Sequence, residues 1–234
     1  MAKPRARGEA RFDGGEPLNP EQRDARGRAA ESETGRSALR IGVLALQGDF
    51  RLHVQALERS GAEAVEVRKP EELADLDGLV IPGGESTTLL RLIDEGDFVH
   101  ALEKFHAVGK PIFGTCAGLI LLAREVQRPA QFSLGLIDAV VERNAYGRQR
   151  ESFEARGAVA LGGRTAPIEM VFIRAPRILS VGPEVETLAT YAGDPVMARQ
   201  GAVLAATFHP ELTDDLTVHR YFCDLVRRAR ARTT

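Results

Sequence analysis

Gly114-Thr115-Cys116-Ala117-Gly118 lies between a short apolar run, Pro111-Ile112-Phe113, and a helical-looking one, Leu119-Ile120-Leu121-Leu122-Ala123. Small residues on either side of one reactive side chain fit a sharp strand-to-helix turn. There the central residue is forced into a strained backbone conformation and only small neighbours avoid a clash, which is how a hydrolase sheet presents a nucleophile. Here the nucleophile would be sulfur. The turn sets Cys116 at a helix N-terminus, where unpaired backbone N–H groups favour thiolate over thiol. A lone Cys in an apolar stretch is usually a small buried hydrophobe, but the two glycines, the strand before, the helix after and a distant His209-Pro210-Glu211 argue otherwise. Cys223, within Tyr221-Phe222-Cys223-Asp224-Leu225 and without nearby glycines, fits the structural role.

The stretch before the elbow alternates. Ile41 to Leu46 is a continuous apolar run, expected of a strand buried on both faces of a parallel sheet. Phe50, Val54 and Leu57 follow at helical spacing, with Gly61 as the stop. Ala64 to Val67 reads as a second strand, Pro70 to Asp75 as a short helix, and Gly78 to Ile81 as a third strand. Pro82-Gly83-Gly84-Glu85-Ser86 breaks the pattern, helical segments cover about Thr87 to Val108, and Pro111 to Phe113 is the fourth parallel strand. After the elbow come shorter runs, Leu134–Glu142, Phe153–Leu161, Ile168–Ile173, Val185–Tyr191, Val196–Gln200 and Val203–Phe208, expected to be antiparallel strands and one returning strand. A helix near Asp215 to Arg230 closes the chain. The expected fold class is α/β, an open, doubly wound, mainly parallel sheet with added antiparallel strands. Ligands of such sheets sit beyond the carboxyl ends of the strands, where Gln47-Gly48, Gly83-Gly84, Cys116 and His209 would meet.

At 234 residues with 44 % hydrophobic content, the chain can bury one sizeable core. A net charge of −2 argues against a general nucleic-acid or membrane-surface binder. No run of 18 apolar residues is present to span a membrane. Two cysteines without metal-like spacing suggest a reducing, cytoplasmic setting and neither a metal site nor a disulfide framework. Residues 1–39 have few large apolar side chains and are expected to form a disordered tail, native or left by an upstream start codon, ahead of one domain spanning 40–231. Scattered acids and the lack of an apolar core make the tail unlike a targeting signal.

His209 ends the apolar run Val203 to Phe208, so it too would stand at a strand terminus. A Cys nucleophile needs a base for its proton and an acid for the leaving group, and one imidazole serves both. Glu211, on the same side of an extended segment stiffened by Pro210, would orient that imidazole. Acyl transfer also builds charge on a carbonyl oxygen, which backbone N–H groups of Gly83 and Gly84, with that of Ala117, would stabilise. The same turn could simply let Ser86 cap the next helix. His53, His100, His106 and His219 fall on expected helices and read as surface or packing histidines.

These residues resemble a family. Gly-x-Cys-x-Gly on an elbow with a late His-Pro-Glu is similar to the class I glutamine amidotransferases. Five blocks, Leu46-Gln47-Gly48, Pro82 to Thr88, Gly114 to Gly118, Val141 to Gln149 and Phe172-Ile173-Arg174-Ala175-Pro176, resemble the branch that provides glutaminase subunits of pyridoxal 5′-phosphate synthase. The resemblance covers about Ile41 to Val226. It implies hydrolysis of L-glutamine to glutamate and ammonia by Cys116, His209 and Glu211, and delivery of ammonia to a separate synthase subunit. It further implies glutamine contacts from Gly84, Glu85, Ser86, Arg143, Ile173 and Arg174, an oxyanion turn that rearranges when the partner binds, an interface near Gln47, and no cofactor held by this chain. Pyridoxal phosphate would be the partner's product. A glutaminase of another pathway such as histidine biosynthesis, a γ-glutamyl peptidase, and a silent binding module on the same fold remain the competing readings.

Overall fold

The computed structural model describes residues 38–143 and 152–233. The expected tail up to residue 37 and residues 144–149 of the Val141 to Gln149 block lie outside the described residues. In chain order the first half comprises β1 (Arg40–Leu44), α1 (Phe50–Arg59), β2 (Glu63–Val67), a 3-10 turn at Pro70–Leu73, β3 (Gly78–Ile81), α2 (Ser86–Glu95), α3 (Phe98–Ala107), β4 (Ile112–Thr115) and α4 (Ala117–Leu122). The second half adds β5 (Ala123–Gln127), β6 (Ile137–Glu142), β7 (Ser152–Leu161), β8 (Arg164–Ile173), β9 (Arg177–Val181), β10 (Glu186–Tyr191), β11 (Asp194–Gln200), β12 (Val203–Ala206) and α5 (Thr217–Thr233).

Nine strands form one sheet in the order β2-β1-β3-β4-β12-β11-β10-β7-β8. The first five are mutually parallel, and from β12 onward each neighbour is antiparallel. Side chains alternate between two cores, as a strand covered on both faces requires. Leu44, Leu79, Ile81, Ile112, Val203 and Ala205 face the core that contains α2, α3 and α4. Ile41, Val43, Val80, Phe113, Leu204 and Ala206 face the other, built with Leu57 of α1 and Val218, Phe222 and Val226 of α5. The second core continues into an aromatic group where Phe153 stacks on Phe172 at 4.6 Å and Tyr191 lies 5.5 Å from each.

The parallel half matches the expected alternation, and the second half differs from it. The sequence pattern predicts an antiparallel strand over Leu134 to Glu142. Its strand portion, β6, instead pairs parallel with β5 and antiparallel with β9 in a separate three-stranded sheet. Neither β5 nor β9 is apparent from sequence pattern. Ala123-Arg124-Glu125-Val126-Gln127 and Arg177-Ile178-Leu179-Ser180-Val181 are half polar and too short to show a period. The elbow helix also starts earlier than its apolar run, at Ala117, and gives way to β5 at Ala123.

Candidate active site

Cys116 occupies the turn between β4 and α4 at φ 49°, ψ −102°, outside the regions comfortable for a residue with a Cβ. Its N–H continues the β4–β12 ladder, donating to Ala206 O at 2.9 Å, before the chain turns into the helix. The flanking glycines explain how the turn fits. A Cβ on Gly114 would come within 2.6 Å of the Gly118 carbonyl carbon, and one on Gly118 would strike the Ile81 carbonyl oxygen of β3. The helix therefore packs backbone to backbone on the sheet, which holds the Cys116 side chain at its edge.

His209 follows β12, one strand over. Its N–H donates to Val171 O at 2.8 Å, and its ring packs against Gly83, where a Cβ would collide with Cε1 and lie 3.1 Å from Cys116 Cβ. A 3-10 turn at Pro210–Leu212, not the expected extended segment, carries Glu211 behind the ring. Glu211 Oε1 lies 2.8 Å from His209 Nδ1. Both residues are buried, at 4 % and 5 % exposure, so the pairing is shielded from water. Burial alone would push the imidazole toward neutrality, but its hydrogen bonds to Cys116 and Glu211, reinforced by their charge, hold its pKa up at about 10. Burial likewise opposes the Glu211 carboxylate, yet the His53 and His209 rings facing it keep its pKa far below the usual range.

Cys116 and His209 open into a cavity of about 330 Å³ whose wall includes Gly84, Glu85, Ser86, Arg143, Ile173 and Arg174. The expected substrate contacts thus share one pocket with the thiol and imidazole. Asp49 and Ile120, not singled out in the sequence, complete it. Glu85, rather than Ser86, caps α2, accepting from the N–H groups of Thr87 at 3.0 Å and Thr88 at 2.6 Å. Although burial opposes its charge, those two N–H groups hold the carboxyl at about 2. Ser86 Oγ donates to Gln131 Oε1 at 3.3 Å. Arg143 donates to Thr87 Oγ1 at 3.1 Å and sits 3.7 Å from Glu85 Oε1. The Gly83–Gly84 turn is clamped by Gln47, whose Nε2 donates to Gly83 O at 3.1 Å while its Oε1 accepts from Glu85 N at 3.2 Å. Because the peptide is planar and trans, fixing the Gly83 carbonyl toward Gln47 turns the Gly84 N–H the opposite way. Ala117, the remaining expected oxyanion donor, is the first residue of α4.

Two histidines assigned to surface or packing roles prove to belong to this neighbourhood. His53 and His219 are fully buried, and His53 Nε2 lies 3.2 Å from Glu211 Oε2. The signal was present in the sequence. His53 interrupts the apolar stripe Phe50, Val54, Leu57, and His219 precedes Phe222, Cys223 and Val226 at helical spacing, so both ride on faces that must be buried. Cys223 is structural as expected, since burial raises its thiol to about 11.

A thiol on a strand–helix elbow, a buried His–Glu pair and a polar cavity at the carboxyl ends of a doubly wound sheet define an α/β amidotransferase. A crystal structure of a glutamine amidotransferase matches at TM-score 0.74 with 51 % identity, over 80 % of this chain and 98 % of that one. A putative GMP synthase component from Thermoplasma acidophilum, 20 % identical over 85 % of this chain and 99 % of that one, shares the fold at TM-score 0.59. The pyridoxal 5′-phosphate synthase subunit PdxT of Geobacillus sp. (strain WCH70) is 53 % identical over 82 % of this chain and its own full length. That of Koribacter versatilis is 56 % identical over 82 % of this chain and 98 % of its own. The model of the SNO glutamine amidotransferase family matches residues 43–228, and the chain belongs to that family.

Proposed function

We propose that Cys116, His209 and Glu211 form the triad of a glutaminase that hydrolyses L-glutamine to L-glutamate and ammonia as a subunit of pyridoxal 5′-phosphate synthase. The observation that carries this reading is the line from Cys116 through His209 to Glu211, opening on the cavity that holds Glu85, Arg143 and Arg174. The PdxT relatives, over half identical along nearly their whole length, supply the pathway. Cys116 passes its thiol proton to His209, whose raised pKa favours the imidazolium, and the resulting thiolate attacks the side-chain amide carbon. That imidazolium, stabilised by Glu211, then protonates the departing nitrogen as ammonia. Water, deprotonated by His209, cleaves the thioester, and the returned proton restores the thiol as glutamate leaves. Arg143 or Arg174 receives the α-carboxylate, which a guanidinium matches in charge and geometry. Backbone N–H groups of the Gly83-Gly84 turn and of Ala117 stabilise the oxyanion.

The ammonia passes to the partner synthase subunit, and the Gln47 clamp on Gly83 lies where partner binding would reset the turn. The catalytic domain spans 40–231, and the enzyme works in the cytoplasm. Glutamate release by this chain alone, with the synthase subunit, and with Cys116→Ala in place tests the reading. Stimulation by the partner that vanishes in the variant is expected. Activity indifferent to the partner would move the chain to another pathway or to peptide substrates, and activity surviving Cys116→Ala would overturn the triad.

A further inference from the structure

Glu211 has two carboxylate oxygens, and only one faces His209. Oε2 points the other way, into a wholly buried space closed by α1, α5 and the end of β4. His53 Nε2 lies 3.2 Å from Oε2 and 3.3 Å from Thr115 Oγ1; its hydrogen bond goes to the threonine, so Oε2 is buried without a hydrogen-bond partner and meets the ring only as a close polar contact. On its far side, His53 Nδ1 is 3.0 Å from His219 Nε2. His219 Nδ1 is buried without a hydrogen-bond partner. Phe113 stands edge-on to both rings at 6.3 Å, so neither can swing freely.

Those contacts assign the protons. Burial, helped by the adjacent His53 ring, pushes His219 down to about 3, so it is neutral and carries one N–H. An orphaned buried N–H is rarer in folded proteins than an under-satisfied acceptor, which puts the bare nitrogen at the unpartnered Nδ1 and the hydrogen on Nε2. His219 then donates to His53 Nδ1, and His53 must carry its own hydrogen on Nε2, toward Thr115 and Glu211. The Nε2–H bonds Thr115 Oγ1, which anchors the ring edge 3.2 Å from the Glu211 carboxylate.

Resting on the triad reading above, we propose that His53 is a positioning residue for this reaction: its Nε2 edge, anchored on Thr115, braces the second oxygen of Glu211 at 3.2 Å, and His219 fixes the His53 tautomer that makes this possible. A carboxylate held at one oxygen can pivot and lose its grip on the imidazole, whereas one whose other oxygen is braced by a polar ring edge keeps His209 in register with Cys116. This is the role that outer partners play for metal-bound histidines, where their loss costs about 10- to 100-fold.

Replacing His53 by Gln, Asn and Leu in the full chain separates this role from mere packing. The Gln amide nitrogen reaches the place of imidazole Nε2, and the Asn amide reaches only that of Nδ1. Measurements are the rate of Cys116 alkylation by iodoacetamide, which Cys223, packed in the second core away from the cavity, does not confuse, and kcat and KM for glutamine with the synthase subunit present. We expect His53→Gln to stay within about threefold of the parent in both rates, and His53→Asn and His53→Leu to fall about 10- to 100-fold, with KM changing less than about twofold. Equal rates for folded Gln and Asn variants, or a loss confined to KM, would overturn the proposal. If the Leu variant does not fold, the Gln–Asn comparison alone decides. A parent chain that releases no glutamate with its partner, or a Cys116→Ala variant that does, would instead sink the triad reading and this inference with it.

Discussion

Cys116 stores backbone strain, and that strain is separable from its chemistry. A non-glycine residue held in a sparsely populated region costs about 1–3 kcal/mol, which the surrounding packing must absorb. Cys116→Gly should therefore melt higher than Cys116→Ala, by roughly 1 kcal/mol of stability, although both lose all glutaminase activity. Differential scanning calorimetry of the two variants checks the order, and the reverse order would mean the turn is relaxed. Gly83→Ala tests the opposite wall. Its added methyl would collide with the buried His209 ring, so kcat should fall at least about 100-fold and stability should drop by about 1–3 kcal/mol. That Cys116, His209 and Glu211 would come together was legible in the sequence, because spacing and residue type announce it. For His53 and His219 the sequence carried the burial but not the neighbours, because only the tertiary approach of α1 and α5 sets them beside each other and beside Glu211.

Elements place these residues through close contacts that a short sequence window hides. Gly118 lets α4 touch β3 backbone to backbone, so Gly118→Val must push the helix off the sheet and should cost at least about 3 kcal/mol by denaturant unfolding. At the start of α2, Glu85→Ala removes an N-cap and should cost about 1 kcal/mol. Because the Glu85 carboxyl is held near 2, that contribution is present above its unfolded value of about 4.5 and fades as the pH falls toward 2. The same variant should raise KM for glutamine, since the Glu85 carboxylate lies on the cavity wall beside Arg143. The strands of the parallel core were readable because burial on both faces makes them continuous apolar runs. By contrast, β5 and β9 are short, polar and stabilised by pairing with β6, a relation no local pattern carries.

Taken as a whole, the molecule is tuned by buried histidines with opposite pH signs. The His209 value of about 10 lies above the ordinary 6.5, so its stabilisation is complete below about 6.5 and is lost as pH rises toward 10. His219, held near 3, stays neutral while an unfolded chain would take up a proton, so stability declines as pH falls from about 6.5 toward 3. Melting temperature should therefore peak near pH 6.5, and His219→Leu should flatten the acid side while leaving the alkaline side intact. A chain beginning at Ala38 should melt and hydrolyse glutamine like the full one, because the PdxT of Geobacillus is matched over its full length by 82 % of this chain. The cut falls there because Leu39 is buried in the core and the Ala38 carbonyl accepts from Arg230.

The stacked rings of Phe153, Phe172 and Tyr191 have an optical consequence. With no tryptophan and only three tyrosines, the chain's near-ultraviolet spectrum has few contributors. Tyr191 sits asymmetrically against Phe172, whose next residue, Ile173, lines the cavity and has its carbonyl 3.9 Å from the Cys116 sulfur. Occupancy of the pocket should thus be written into tyrosine circular dichroism, giving the protein a built-in, label-free reporter of ligand arrival.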